Sequence, residues 1–264
     1  MNKRGTSLLI FGNEGMLGHV VEKYFKEKEE SRVIGLNRSN LDMNDFSAVI
    51  ENIVKIKPHV IINCVGVLNT GDDIHEFSRI NVALPRILAY MGNKHHIKII
   101  HISTNCVFKE IGPHKQNEAP NATDIYGMSK ALGEIDDDFN LTIRTSITGP
   151  ELKEDGSGLF NWFMQSNKKV TGYSNAFWNG VTTFQLAQFI EEAIEKKLTG
   201  IVNYYTIKEE SKYELLKIIN EVYGLKKTLM ETTKEGVHSS LLEGKHFTKK
   251  TFKEQFKELK EWYK

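Results

Sequence analysis

Apolar runs alternate with amphipathic stretches along the first 145 or so residues. Ser7-Leu-Leu-Ile-Phe11 is a short unbroken apolar run that stops at Gly12, as a strand buried on both faces does. Val20 to Lys28 then repeats apolar positions at helical spacing. Arg32-Val-Ile-Gly-Leu36 predicts a second strand, and Phe46 to Lys57 a helix that must stop before Pro58. Val60-Ile-Ile-Asn63 predicts a third strand, Phe77 to Met91 a helix and Ile97 to Ile102 a fourth strand. Tyr126 to Asp138 follows as a helix, and Leu141-Thr-Ile-Arg144 as a strand. This alternation predicts an α/β chain whose parallel sheet is doubly wound, with helices on both faces.

Beyond residue 150 the pattern changes. Glu151 to Ser157 is charged and glycine-containing, the composition of a mobile loop over a site. Gly158 to Gln165, which includes Asn161, predicts a short helix. Thr182-x-x-Gln185 and Ser211-x-x-Glu214 are capping boxes that start helices Thr183 to Lys197 and Lys212 to Tyr223, with a strand from Ile201 to Thr206 between them. Phe252, Phe256, Leu259 and Tyr263 recur at helical spacing in a tail with seven lysines and three glutamates from Lys245 on, so they dock a C-terminal helix rather than a membrane surface. The expected division is a dinucleotide-binding domain over 1–150 with 175–206 returning to it. A smaller substrate domain would comprise 151–174 and 207–264.

Ligands of such sheets sit at the carboxyl ends of the strands. Gly12, Gly15 and Gly18 follow the first strand and open a helix, with Met16 and Leu17 between the last two. Glycine lets the backbone approach a pyrophosphate closely, and the helix N-terminus offers it free N–H groups. The Rossmann-type reading follows. At the end of the second strand, Leu36-Asn37-Arg38-Ser39 lacks the acid that would accept a ribose 2′-OH. Arg38 and Ser39 suit a 2′-phosphate instead, which predicts NADPH over NADH.

The pair Tyr126/Lys130 carries the candidate chemistry. On a helix the two share a face, and an ammonium there lowers a phenol from its usual pKa of about 10 toward neutrality. The spacing Tyr-x-x-x-Lys occurs six times in this chain of nine tyrosines, so spacing alone selects nothing. Topology selects this copy, because Tyr126 opens the helix after the fourth strand, beside Thr104 at that strand's carboxyl end. Tyr126 would donate a proton, and Thr104 would hydrogen-bond the same reacting oxygen.

Formal net charge is +1, from 35 basic and 34 acidic residues, which gives no field for nucleic acid. Cys64 and Cys106 in apolar contexts read as reduced thiols of a reducing, cytoplasmic compartment. The apolar run Val60 to Leu68 is too short to span a bilayer. His95-His96 lacks metal-site spacing and reads as a solvated turn, and no histidine at informative spacing makes Cys106 a nucleophile. Tyr173 to Gly180 gathers aromatics and amides. Trp178 and Asn179 there read either as a pocket for a base or as anchors of a loop.

The chain resembles the extended short-chain dehydrogenase/reductases, and within them the dTDP-4-dehydrorhamnose reductase group of nucleotide-sugar enzymes. The resemblance rests on Gly12-x-x-Gly15-x-x-Gly18, Leu41-Asp42-Met43, Asn63-Cys-Val-Gly66 and Ile80-Asn81-Val-Ala-Leu-Pro85. It continues through Ser103-Thr104-Asn-Cys-Val-Phe108, Tyr126-Gly-Met-Ser-Lys130 and Arg144-Thr-Ser146. It implies that Thr104, Tyr126 and Lys130 are catalytic and that Lys130 also holds the nicotinamide ribose. It further implies that Asn37, Asp42, Met43, Cys64, Val65, Gly66 and Ser103 contact the cofactor. Val67, Asn105, Cys106, Arg144, Ser146, Asn161, Trp178 and Asn179 would contact the substrate.

Dehydratases of this kind carry an acidic pair after the catalytic threonine, where this chain has Asn105 and Cys106, and epimerases hold a tightly bound NAD. The resemblance therefore implies a cytoplasmic NADPH-dependent 4-keto reductase that supplies surface-polysaccharide precursors. Asn105-Cys106 is closer to reductases of UDP-2-acetamido-2,6-dideoxy-4-hexuloses than to dTDP-sugar reductases, which usually have Asp-Tyr. A homodimer through 77–91 and 126–138 is also implied. The alternatives are a dTDP-4-dehydrorhamnose reductase and a non-catalytic NADP-binding regulatory subunit.

Overall fold

The structure is a computed structural model that describes residues 5–68, 73–109, 111–153, 156, 158–235 and 240–264. The first half runs β1 (Thr6–Phe11), α1 (Gly18–Glu27), β2 (Ser31–Leu36), α2 (Phe46–Ile56), β3 (Val60–Asn63) and a one-turn α3 (Ile74–Glu76). Then come α4 (Leu84–His95), β4 (Lys98–Thr104), β5 (Gly112–His114), α5 (Ile125–Gly133) and β6 (Leu141–Thr145). The second half begins with β7 (Ile147–Thr148), α6 (Leu159–Gln165), β8 (Lys169–Tyr173), β9 (Phe177–Trp178) and β10 (Val181–Thr182). It ends with α7 (Thr183–Glu195), β11 (Gly200–Thr206), β12 (Glu210–Ser211), α8 (Lys212–Tyr223), β13 (Thr228–Thr232), β14 (Ser240–Leu242), β15 (His246–Thr248) and α9 (Phe252–Trp262).

Among the described residues the central sheet has seven strands in the order β15-β11-β6-β4-β3-β1-β2, every neighbouring pair parallel. The order reverses beside β1, where β2 lies on one side and β3 on the other, so a crevice opens there at the carboxyl ends. One core packs Leu8, Ile10, Val20 and Val21 with Phe184, Phe189, Phe252 and Phe256. The other packs Leu9, Phe11 and Ile61 with Val49, Ile53 and Leu88. Alternate β1 residues face the two cores, and this is why Leu8 to Phe11 is apolar without a break.

Two helices differ from expectation. Residues Phe77–Ala83 wind as a π-helix before α4, whose first turn holds Pro85. Proline has no N–H to close the turn onto Asn81, and the freed Asn81 carbonyl is met by Gly133 of α5, where a Cβ would lie 1.9 Å from it. The predicted helix from Tyr126 to Asp138 stops at Gly133. Asp137 captures the N–H groups of Phe139 at 2.9 Å and Asn140 at 2.6 Å, a local alternative to helix.

The boundary drawn at 207 also differs. β15 pairs with β11, and α9 closes the core that contains β1, so residues 246–262 belong to the main sheet and its cover. A strand of three residues inside a lysine-rich tail is too short to show a period of two. No helix among the described residues is long and apolar enough to cross a membrane.

Candidate active site

The glycine turn follows from its backbone. Gly12 takes φ +81° and donates to Leu36 O at 2.7 Å, while Gly15 N–H returns to Gly12 O at 2.9 Å. A Cβ on Gly18 would lie 2.0 Å from Gly12 O, so helix and turn approach as only glycine permits. Leu17 occupies the N-cap of α1, no side chain caps the helix, and no acidic residue stands in its first turn. The helix end thus presents backbone donors to the strand-end crevice, which suits an anion. Met16 reaches across to Gly158, and Glu151 accepts from Gly158 N–H at 2.8 Å. Glu154, Asp155 and Ser157 of the expected loop lie outside the described residues.

At the end of β2, Asn37 is buried and its Oδ1 accepts from Ser39 N at 2.8 Å and from Ser39 Oγ at 2.5 Å. That turn projects Arg38 into solvent, 75% exposed, where it pairs with Glu76 at 3.0 Å. Asp42 is exposed and accepts from Asn44 N–H, whereas Met43 is a core side chain. Cys64 and Val65 are partly exposed and Gly66 is exposed at the end of β3. Val67 is 3% exposed and packs in the core, which removes its side chain from the substrate candidates.

Thr104 is the last residue of β4, which runs two residues past its expected end at Ile102, and Tyr126 lies in the first turn of α5. Asp124 caps that helix by accepting from Gly127 N–H at 2.8 Å. The Thr104 hydroxyl accepts from Cys106 N–H at 3.1 Å and donates to Asn105 Oδ1 at 3.4 Å. Burial pushes that phenol up to about 12, Cys106 and Asp124 push the same way, and Thr104 opposes them. Lys130 does not supply the lowering expected of it. Its ammonium donates to Ile102 O at 2.7 Å instead, and burial drops the lysine itself to about 8 against the pull of Glu134 and Cys64. Two groups of opposite titration behaviour thus share one helix face at the strand ends.

A cavity of about 220 Å³ lies just past the end of β4, with Asn105, Cys106, Ser146, Trp178, Lys212 and Ser240 among its walls. Several predicted substrate residues serve the fold instead. Arg144 is 2% exposed and binds Glu134 bidentately, at 2.8 Å and 2.7 Å, and Ser103 donates to the same carboxylate at 2.7 Å. These bonds hold both side chains against Glu134. Asn179 clamps Leu242, donating to its carbonyl at 2.8 Å and accepting from its N–H at 3.1 Å. Asn161 donates to Lys153 O at 3.3 Å and Gly156 O at 3.4 Å, outside the cavity.

Other candidates combine both roles. Asn105 lines the cavity but donates to Ser240 O at 2.7 Å. Trp178 lines it while donating to Ser146 at 2.7 Å and stacking on Phe252. Cys106 lines it as a thiol, its pKa raised by burial.

The sequence reading missed Lys212, Ser240, Asn81 and His101. Lys212 opens α8 and is, among the described residues, the only charged side chain in that cavity wall, and its place directly after the Ser211 cap was the available signal. Asn81 clasps Val67 by both main-chain groups, at 2.9 Å and 3.0 Å, and donates to Ser129 Oγ at 3.0 Å. No cluster among the described residues could hold a metal ion.

The profile of the RmlD substrate binding domain matches residues 6–237. A dTDP-4-dehydrorhamnose reductase of Aggregatibacter actinomycetemcomitans is 33% identical over 132 residues, 48% of this chain and 45% of that protein. The beta subunit of methionine adenosyltransferase 2 from Xenopus tropicalis is 33% identical over 143 residues, 49% and 42% of the two chains. The chain spans about half the length of the curated relatives it matches. The crystal structure of dTDP-4-dehydrorhamnose reductase from Bacillus anthracis in complex with NADP superposes with a TM-score of 0.82 at 18% identity, covering 98% of this chain and 100% of that one.

Proposed function

The chain belongs to the RmlD substrate binding domain family, and from that premise we propose that it is an NADPH-dependent 4-keto reductase of a nucleotide-activated 4-keto-6-deoxy sugar, in the synthesis of polysaccharide precursors. The observation that carries the reading is the meeting of Thr104, Tyr126 and Lys130 at the strand ends that the glycine turn also serves.

The cradle of Gly12, Gly15 and Gly18 fits a dinucleotide pyrophosphate, and Arg38 stands where a 2′-phosphate would be met. Reduced nicotinamide supplies a hydride when bound. Tyr126 gives its proton to the sugar O4, and Thr104 donates a hydrogen bond to that oxygen as charge grows on it. A phenol held high by burial remains protonated at neutral pH, as a proton donor must. Lys130 is placed one turn away to restore that proton. Relatives named as dTDP-sugar reductases support a dTDP-linked substrate, while Asn105-Cys106 supports a UDP-2-acetamido-2,6-dideoxy-4-hexulose. The exposed apolar residues Tyr90, Met128 and Leu132 on α4 and α5 support pairing with a second copy.

The test is NADPH oxidation, followed by absorbance, with dTDP-4-dehydrorhamnose and with the UDP-linked hexulose, the product identified by NMR. Tyr126→Phe keeps NADPH binding and loses about 10²–10⁴-fold in turnover. Wild-type rates in that variant would overturn the mechanism. Tight NADPH binding without oxidation of either sugar would favour a second reading, a non-catalytic NADP-binding regulatory subunit, which the likeness to the methionine adenosyltransferase subunit supports.

A further inference from the structure

His101 lies wholly buried in β4, directly across from Asn63 at the end of β3, and the reaction described above does not use it. The Asn63 amide has a fixed orientation, because its Oδ1 accepts from Val65 N–H at 3.2 Å. Its NH2 group therefore faces His101 Nδ1, 3.1 Å away. An amide nitrogen only donates, so Nδ1 is the acceptor and the single proton of the neutral ring sits on Nε2. That Nε2–H points at Lys130 Nζ from 3.5 Å. An ammonium there meets another donor and turns to Ile102 O, whereas a neutral amine could accept from the ring.

We propose that His101 is a positioning residue: locked by Asn63 with Nε2–H toward Lys130, it disfavours the ammonium form of that lysine and makes Lys130 a readier proton donor to Tyr126. The tautomer and its effect on Lys130 follow from this geometry, and only the catalytic use rests on the reductase reading. In that step an N–H bond of Lys130 breaks and an O–H bond forms on the Tyr126 oxyanion left after proton transfer to the sugar. The resulting amine regains a proton from water.

The other groups acting on Lys130 are Glu134 on its own helix and Cys64 at the end of β3, both of which favour its charge. Burial keeps the His101 ring neutral, and the charges of Lys130 and of Arg86 on α4 act the same way.

Long-range ¹H–¹⁵N spectra of histidine-labelled wild-type protein are expected to show His101 protonated on Nε2 and bare on Nδ1. The opposite tautomer would overturn the proposal. The Lys130 side-chain ¹⁵N signal, assigned with Lys130→Met, then reports its titration. In His101→Gln the side-chain oxygen can turn toward Lys130, so the ammonium persists to higher pH by about one unit. The alkaline limb of turnover moves the same way. His101→Leu removes the facing N–H and gives a smaller upward shift. An unmoved lysine titration in His101→Gln, with turnover merely reduced, would leave the histidine a packing residue and end the proposal. If the wild-type protein reduces no 4-keto nucleotide sugar, the reductase reading falls, while the tautomer and the lysine titration still decide what His101 does.

Discussion

The two flanks of the site treat their polar groups in opposite ways. On the amino-terminal flank the glycine turn and the start of α1 leave backbone donors without side-chain caps. On the carboxy-terminal flank the conspicuous amides are engaged: Asn105 holds Ser240, Asn179 holds both main-chain groups of Leu242, and Asn161 holds the segment before α6. A polar side chain beside a cavity therefore signals recognition only once its partners within the fold are known. Lys212 passes that test, because no carboxylate among the described residues lines the cavity it faces.

The contrast breaks most visibly at Arg144. If its guanidinium serves the fold, holding Glu134 and the carbonyls of Gln116 and Glu118, Arg144→Leu strands a buried carboxylate and costs about 3–5 kcal/mol of stability in urea unfolding. An unchanged midpoint would return Arg144 to the substrate. Asn179→Ala leaves both main-chain groups of Leu242 without their partner and costs about 1–3 kcal/mol by the same measurement. A large rise in KM with little loss of stability would show that the amide reads the ligand instead. The smallest effect tests the open flank. Glu76→Gln releases Arg38 from a solvent-exposed ion pair worth about 0.2–1 kcal/mol, so NADPH binds up to about 5-fold tighter by fluorescence titration while NADH affinity holds. Equal gains for both cofactors would separate Arg38 from the 2′-phosphate.

The sheet was legible because a strand buried on both faces must be apolar, and a glycine must stand where a helix crosses its own turn. Val60–Asn63 and Lys212–Tyr223 fall where the periodicity places them. The substrate side was not legible, for a reason of distance. Asn179 meets its partner 63 positions away and Asn105 meets Ser240 at 135, and no local pattern encodes such pairings. Arg144 is a different case: Glu134 is only ten positions away, yet the two meet only once α5 has packed beside the sheet. Asn81 stood within a recognised motif, but its clasp on Val67 depends on a π-turn that the helical period hides.

The return of α9 to the first strands bears on how the molecule is made. His19, in the first helix, shares a 2.8 Å hydrogen bond with Tyr263, 244 positions later, and Phe252, Phe256 and Leu259 cover the face that Leu8 and Ile10 present. As a ribosome delivers this chain, that face emerges more than 200 residues before the helix that covers it. Helices α1 and α7 must shield it in the meantime, and the nascent sheet stays aggregation-prone until the last of these turns emerges.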